Sequence, residues 1–190
     1  MEPIFTMQYS EYAVAIELQK LFPKIHGYSV LVPVSRQEKG IDLAILKKGP
    51  NGNSRTVTIQ IKASKTYSLP PKRTTTKRHK HLTWFNAFQI SEYADFYLLF
   101  ATYPPDVQRT KPTNQEWWKH IMLLFTASEI ASFLKSCLTT KGVPDRSFGF
   151  GFDDETRIEQ TRGEKERRLT DFSDHLLVKR IDVLKKALNS

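Results

Sequence analysis

The segment from residue 57 to 63 restricts the fold more than any other part of the chain, because apolar and polar residues alternate strictly along it. Successive side chains of an extended strand point to opposite faces, whereas a helix would mix these two sets on its surface. The segment is therefore predicted to be a strand that buries one face and projects an amide beside an ammonium group from the other. The apolar face carries Val57, Ile59, Ile61 and Ala63, and the polar face carries Thr58, Gln60 and Lys62.

The rest of the pattern predicts an α/β protein with a mixed sheet flanked by helices. A helix is predicted over residues 10–22, with Ser10 as its N-cap and Pro23 ending it. Strands are predicted over 28–34, 40–46, 55–63, 95–103 and 120–125, and further helices over 84–94 and 128–138. The order helix, three strands, helix, two strands, helix is typical of a mixed sheet.

The chain changes character near residue 148. Residues 153–190 hold nine acidic and nine basic side chains, so they carry no net charge. Leucine and isoleucine recur at helical spacing over 173–188, which predicts a terminal helix that packs on the core or on a second subunit. We therefore predict a core domain over 1–147 and a charged C-terminal helical appendage over 148–190.

The surplus positive charge is concentrated in one loop. The whole chain has a formal net charge of +9, and residues 65–81 contain six lysine and arginine residues with no acid. Such a cluster indicates contact with a polyanion such as DNA, although a solvated basic loop is the alternative. His79 and His81 are expected to be solvated or to contact phosphate. The basic residues are Lys65, Lys72, Arg73, Lys77, Arg78 and Lys80.

Composition narrows the class of protein further. The single cysteine, Cys137, excludes an intramolecular disulfide framework and a cysteine-based zinc cluster. No signal peptide and no apolar run of spanning length is found, so the sequence predicts a cytoplasmic protein without membrane contact. Walker A, Gly-x-Ser-x-Gly and His-Glu-x-x-His motifs are also absent from the sequence.

Two carboxylates are expected near the polar face of the 57–63 strand. If segments 40–46 and 55–63 pair as a hairpin, Asp42 lies at the same end as Lys62. Glu11 prolongs the apolar stripe of the first helix, where a buried carboxylate requires a lysine or a metal ion nearby. Glu17 lies off that stripe and is expected to face solvent.

These residues, in this order, resemble the PD-(D/E)XK phosphodiesterase superfamily, which includes restriction endonucleases and Holliday-junction resolvases. The resemblance covers about residues 10–103 and rests on Glu11 in a helix, Asp42 after Gly40 and Ile41, and Gln60 two residues before Lys62. Ile41 stands where the family often has proline, and Gln60 replaces the acid of the third motif. The resemblance implies a restriction-endonuclease-like sheet.

The resemblance also implies a metal-dependent endonuclease that hydrolyses DNA. Asp42 would be the central ligand of Mg²⁺, or of Mn²⁺ in its place, with Glu11 acting directly or through water. The Gln60 side-chain oxygen and the Ile61 carbonyl would complete the ligand set, and Lys62 would orient or deprotonate the attacking water. With two acids instead of three, Mg²⁺ binding should be weaker than in a three-acid relative.

A homodimer is expected from the same resemblance, and no organic cofactor is expected. Two other functions stay open at the level of sequence. Gln60 is also compatible with a nuclease fold that binds DNA without cutting it, and the basic loop with a module that binds an acidic protein.

Overall fold

The computed structural model describes residues 8–33, 40–50, 52–68, 79–104, 118–139, 141–162 and 170–190. The helices are α1 (Tyr9–Leu21), α2 (Ala127–Ser136) and α3 (Ile181–Asn189), with single 3-10 turns at Lys24–His26, Ser173–His175 and Leu177–Lys179. The strands are β1 (Tyr28–Leu31), β2 (Leu43–Lys48), β3 (Ser54–Ser64), β4 (Thr66–Ser68), β5 (His81–Phe85), β6 (Phe96–Tyr103), β7 (Lys119–Thr126), β8 (Phe148–Phe152) and β9 (Ile158–Arg162).

The strands form two sheets. The first has the order β1-β2-β3-β6-β7, in which β3 and β6 run parallel and the other pairs are antiparallel. The second has the order β4-β5-β8-β9 and is antiparallel throughout. The predicted α/β class with a mixed sheet is therefore confirmed, and the second sheet is an addition that the sequence pattern did not indicate.

Helices α1 and α3 cover one face of the first sheet, and helix α2 and the second sheet cover the other. On one face, Val14 and Leu18 of α1 and Leu184 and Leu188 of α3 pack on the apolar side of β2, β3 and β6. On the other face, α2 and the inner side of β8 pack on β6 and β7. The predicted alternation holds for Val57, Ile59 and Ile61, which belong to the first of these layers. It fails at Ala63, which is exposed, and Gln60 on the other face is buried as well.

The first helix begins earlier than the sequence indicates. Gln8 is its N-cap rather than Ser10, and Glu11 Oε2 accepts a hydrogen bond of 3.3 Å from the Gln8 backbone N–H. Ser10 lies inside the helix and is buried. The capping carboxylate three residues after Gln8 stabilises this start. Glu17 is partly exposed and pairs with Lys20 at 3.0 Å.

The helix predicted over 84–94 is wrong. His81, Thr83 and Phe85 are buried alternately because β5 pairs with β8, a partner more than sixty residues away. Beyond Phe85 the chain is neither helix nor strand up to Asp95, and Ala87 has a φ of +49°, which a right-handed helix excludes. Tertiary pairing has overridden the local spacing of the aromatic residues.

Residues 148–190 contribute to both layers of the core. Phe148, Phe150 and Phe152 of β8 point inward and are fully buried. Gly149 and Gly151 occupy the other side of β8, where a Cβ at Gly151 would overlap the ring of His79. The terminal helix packs on β2 and β3 of its own chain, which was one of the two expected positions.

Within the described ranges, no helix combines the length and the apolar character that crossing a membrane requires.

Candidate active site

Asp42 lies immediately before β2 and is hydrogen-bonded across to β3. The Asp42 N–H donates to the Ile59 carbonyl at 3.0 Å, and Asp42 Oδ2 accepts from the Ile61 N–H at 2.6 Å. A carboxylate thus takes the place that a backbone carbonyl would occupy if the β2–β3 ladder continued. The hairpin places Asp42 beside residues 59–61, at the end of the sheet where it was predicted.

The Ile61 carbonyl is directed toward the same side. In a strand, the N–H and C=O of one residue point to the same neighbouring strand. Because the Ile61 N–H is directed at Asp42, the Ile61 carbonyl also faces the side where β2 has ended. A carboxylate and a backbone carbonyl are therefore available at one edge of β3, and both are oxygen donors suited to a hard divalent cation.

Gln60 is a buried amide whose side-chain oxygen has no hydrogen-bond partner among the described residues. Only 7% of the residue is exposed, and Oε1 is among the buried polar atoms left unsatisfied. Leaving such an oxygen without a partner costs about 1–3 kcal/mol. An unsatisfied oxygen in a native site calls for an explanation, and one is that it receives a ligand from outside the chain.

The surroundings of Gln60 come from segments that sequence reasoning did not connect with the site. Gly40 has a φ of +83°, and a Cβ placed there would overlap the side chain of Ser91 and lie 3.4 Å from Gln60 Nε2. Tyr97, which pairs with Gln60 in the β3–β6 register, is fully buried. Its hydroxyl donates to the Ser91 carbonyl at 2.7 Å and accepts from the Ser91 N–H at 2.6 Å.

Burial raises the pKa of Tyr97, so its hydroxyl keeps its proton and acts as a hydrogen-bond donor.

Gly40 was the one feature of the sequence that could indicate the close packing around Gln60. Its need for a small residue becomes evident only once Ser91 is known to lie against it.

Lys62 projects from the same face of β3 as Gln60, two residues further on. It is half-buried and lines a cleft of about 200 Å³ whose other wall is the segment 84–89. The Ser64 hydroxyl is hydrogen-bonded to the backbone of Trp84, which ties β3 to this wall. Lys62 is therefore accessible to a ligand in the cleft while its strand is held on both sides.

Glu11 lies at the same end of the sheet but on the opposite face. The ring of Tyr9, in the first turn of α1, is 6.3 Å from that of Phe100, and Phe100 pairs with Ala63. The Tyr9 hydroxyl is also 2.9 Å from His120 Nε2. These contacts place the first turn of α1 level with the residue after Lys62, while the hydrogen bond of Glu11 to Gln8 is local.

The basic loop is only partly described. Lys72, Arg73, Lys77 and Arg78 lie outside the described residues, as does most of the 65–81 segment. Lys65 and Lys80 are exposed, and the Lys80 N–H donates to Asp153 Oδ1 at 2.6 Å. Hydrogen bonds from the side chain and backbone of Thr156 hold the pKa of Asp154 below its usual value, and the charges of Lys80 and Lys119 act in the same direction.

The expectation for the two histidines of this loop is wrong. His81 is 8% exposed, packs against the rings of Tyr103 and Phe152, and lies 3.2 Å from Ser68 Oγ. His79 Nε2 lies 3.1 Å from the buried carboxylate of Glu159. Both imidazoles are held by the second sheet, because β5 begins at His81 instead of continuing as a loop.

Three oxygen donors of the kind that bind a hard divalent cation lie along the end of β3. Asp42, the Ile61 carbonyl and the orphaned Gln60 oxygen are hard oxygen donors, and Glu11 could join them only from the other face. Within the described residues, no group of three or more His, Cys, Asp or Glu side chains could hold a metal. The site that the geometry supports therefore has one close carboxylate and neutral oxygens.

Comparison with known proteins adds no relative. No protein-family model, no curated protein and no solved structure matches this chain.

Proposed function

We propose that the protein is a metal-dependent endonuclease that hydrolyses DNA, with a restriction-endonuclease-like arrangement of β1, β2, β3 and β6. The observation that carries the proposal is the grouping at one end of β3. Asp42 is bound to the Ile61 N–H, the buried Gln60 oxygen has no partner within the described ranges, and Lys62 projects from the same face of β3 into a cleft.

Each of these groups has a role in phosphodiester hydrolysis. Asp42, Gln60 Oε1 and the Ile61 carbonyl would hold Mg²⁺ or Mn²⁺, which neutralises charge on the phosphoryl oxygens when bound. Lys62 would position or deprotonate the attacking water, or stabilise the negative charge of the transition state. Glu11, near the same end of the sheet, would act through a water molecule.

DNA is the proposed polyanion because the basic segment directly follows Lys62. Lys65 is exposed three residues after Lys62, and the remaining cations of residues 65–81 follow in sequence. Phosphate contacts from lysine and arginine supply most of the sequence-independent affinity for DNA. Part of this charge is offset, since Lys80 lies near Asp153 and Asp154.

Dimerisation is a separate proposal that rests on the resemblance alone. Leu184 and Leu188 of α3 are buried against the chain's own core, so the apolar stripe of this helix is already covered. Sedimentation of the full chain, alone and with DNA, measures whether two copies associate. A monomer in both conditions would remove the dimer from the proposal.

Incubation with plasmid, single-stranded and branched DNA in Mg²⁺ or Mn²⁺ tests the function. Asp42→Asn retains an oxygen to accept the Ile61 N–H but removes the charge, and Lys62→Met retains an apolar stem of similar length. Both should lose cleavage by a factor of at least about 100, the typical contribution of a general base or charge-stabilising group.

Matched controls on the exposed side of α3 are Asp182→Asn and Lys185→Met, which should retain full activity. Cleavage that persists in both site variants would place the activity elsewhere. Salt-dependent DNA binding without cleavage in either metal would favour the alternative, a nuclease fold that binds DNA without cutting it.

A further inference from the structure

A second group of cations, the far-end patch, lies at the end of the first sheet that is opposite to Lys62. Three of its four members are exposed and one is half-buried. The members are Lys24 in the turn after α1, the half-buried Lys47 and its neighbour Lys48 at the end of β2, and Arg55 at the start of β3.

The segments that form this end of the sheet contain no acid to offset the charge of the patch. These segments, residues 20–28, 46–57 and 183–190, meet through strand pairing and a hydrogen bond from Arg55 to Ser190. Among the described side chains, no acid forms an ion pair with any member of the patch. The far-end patch is thus a site of uncompensated positive charge.

Two members of the patch are placed where their charges repel each other. Lys47 and Arg55 are direct partners in the antiparallel β2–β3 ladder, and like charges at such positions are destabilising. The Lys47 ammonium lies 3.9 Å from the centre of the Tyr28 ring and donates to the His26 carbonyl at 2.8 Å. An anion bound beside both cations would relieve this repulsion.

The loops that carry the patch are held together by backbone hydrogen bonds. The Lys48 N–H donates to the Gly27 carbonyl at 2.9 Å, and the Gly27 N–H donates to the Lys24 carbonyl at 2.9 Å. Across the β2–β3 hairpin, the Gly49 N–H donates to the Asn53 carbonyl at 2.7 Å. Binding at the patch therefore requires little ordering of the backbone, which lowers its entropic cost.

Lys48 projects from the same side of the sheet as Lys62. It is the register partner of Ser54, which precedes Lys62 by eight residues in β3, so the three side chains share one face. At about 3.3 Å per residue, the two lysines are about 26 Å apart along the strand. Phosphates of one DNA strand follow each other at about 3.4 Å along the helix axis, so this distance corresponds to about eight base pairs.

The face between the two lysines carries an acid. Thr56 is exposed, Thr58 is half-buried, and the exposed Asp95 carboxylate accepts hydrogen bonds from the Thr58 N–H at 2.8 Å and from its hydroxyl at 2.9 Å. Because a carboxylate repels phosphate, a duplex on this side of the sheet would be held at its two ends and not in the middle.

We infer that the far-end patch binds the backbone of the same duplex that enters the proposed active site, at phosphates about eight base pairs from the one at Lys62. This inference rests on the proposed function. It specifies a substrate with a duplex arm of at least this length on one side of the cut. Such phosphate contacts add affinity and fix the orientation of the duplex without reading its sequence.

The experiment measures DNA binding in EDTA over a range of salt concentrations, so that its outcome does not depend on hydrolysis. Fluorescence anisotropy compares a duplex of about 24 base pairs with a hairpin whose stem of about five base pairs is too short to reach both sites. On the long duplex, the Lys24→Gln/Lys48→Gln variant should reduce the slope of log K against log salt by about 2, since each phosphate contact contributes about 0.9. On the short stem, the two slopes should differ by less than about 1.

Two controls separate the loss of charge at the patch from other effects. The Lys24→Arg/Lys48→Arg variant retains the charge and should retain the slope. The Lys135→Gln/Lys141→Gln variant removes two exposed charges in and after α2 and should retain it as well.

Three results would overturn the inference and leave the proposed function intact. They are an unchanged slope in the Lys24→Gln/Lys48→Gln variant, an equal reduction on both DNAs, and a loss of binding to vesicles of anionic lipid in place of DNA. The last result would assign the patch to a membrane surface. Absence of wild-type binding to either DNA would overturn both the inference and the proposed function.

Discussion

The Gln60→Glu substitution would show whether the buried amide belongs to a metal site. It replaces a neutral side chain that is 7% exposed by a carboxylate of the same shape. In the wild-type chain, the acceptor oxygen at this position has no partner in the part that the structure describes. An uncompensated charge in a buried position costs about 3–5 kcal/mol. Part of this cost is avoided if the new carboxyl keeps its proton.

We therefore expect the free energy of unfolding in EDTA at pH 7 to fall by about 3 kcal/mol. Because burial raises the pKa of a carboxyl in the folded state, the loss is present at neutral pH and diminishes as the pH falls toward the ordinary glutamate value of about 4.3. A metal ion that binds only the folded variant, at about 100 times its dissociation constant, restores about 2.7 kcal/mol. Most of the lost stability should thus return with Mg²⁺ or Mn²⁺.

The assay is urea unfolding followed by tryptophan fluorescence, with and without metal. Gln160→Glu is the matched control, because Gln160 is also buried in a strand, at 4% exposure, and its Nε2 donates to the Arg162 carbonyl at 2.9 Å. The control should lose stability in EDTA and regain none with metal. If metal shifted both variants equally, or neither, Gln60 would not be a ligand.

Three further predictions follow from the described residues. Ala87→Gly should raise the free energy of unfolding by about 1 kcal/mol, because glycine adopts a φ of +49° without strain, and a decrease in urea midpoint would contradict this. Burial, with a contribution from Asp145, raises the pKa of the Cys137 thiol to about 11, so iodoacetamide should label it at pH 8 only after urea unfolds the chain, and rapid labelling of the folded protein would refute its burial. Burial and the charge of Arg180 lower the pKa of His175 in the folded state. The contribution of His175 to the free energy of unfolding should therefore be complete above about pH 6.5 and fall as the pH decreases from there to the folded-state pKa. The His175→Gln variant should lose less stability than the wild type between pH 7.5 and pH 5, and an equal loss would contradict the reasoning.

The order of apolar and polar residues correctly predicted those strands whose own residues show which faces are buried. The strands around residues 57–63 and 95–103 were confirmed to within a few residues, since strict alternation and a continuous apolar run require one and two buried faces, respectively. The helix over 84–94 was wrong because Trp84, Phe85 and Phe88 satisfy a helical spacing as well as a strand followed by a turn. The pairing of β5 with β8 decided between the two.

For the proposed site as well, the sequence determined some features and the tertiary structure decided the others. Sequence alone determined that Gln60 and Lys62 share a face of one strand, because strand periodicity leaves few alternatives. It placed Asp42 at their end on the condition that segments 40–46 and 55–63 pair as a hairpin, and the structure shows this pairing. Only the tertiary structure decided that the Asp42 carboxylate binds the Ile61 N–H, that Gly40 and Tyr97 enclose Gln60, and that segment 84–89 forms a cleft beside Lys62. These contacts join segments distant in sequence, and their geometry depends on how two sheets pack, which no local periodicity encodes.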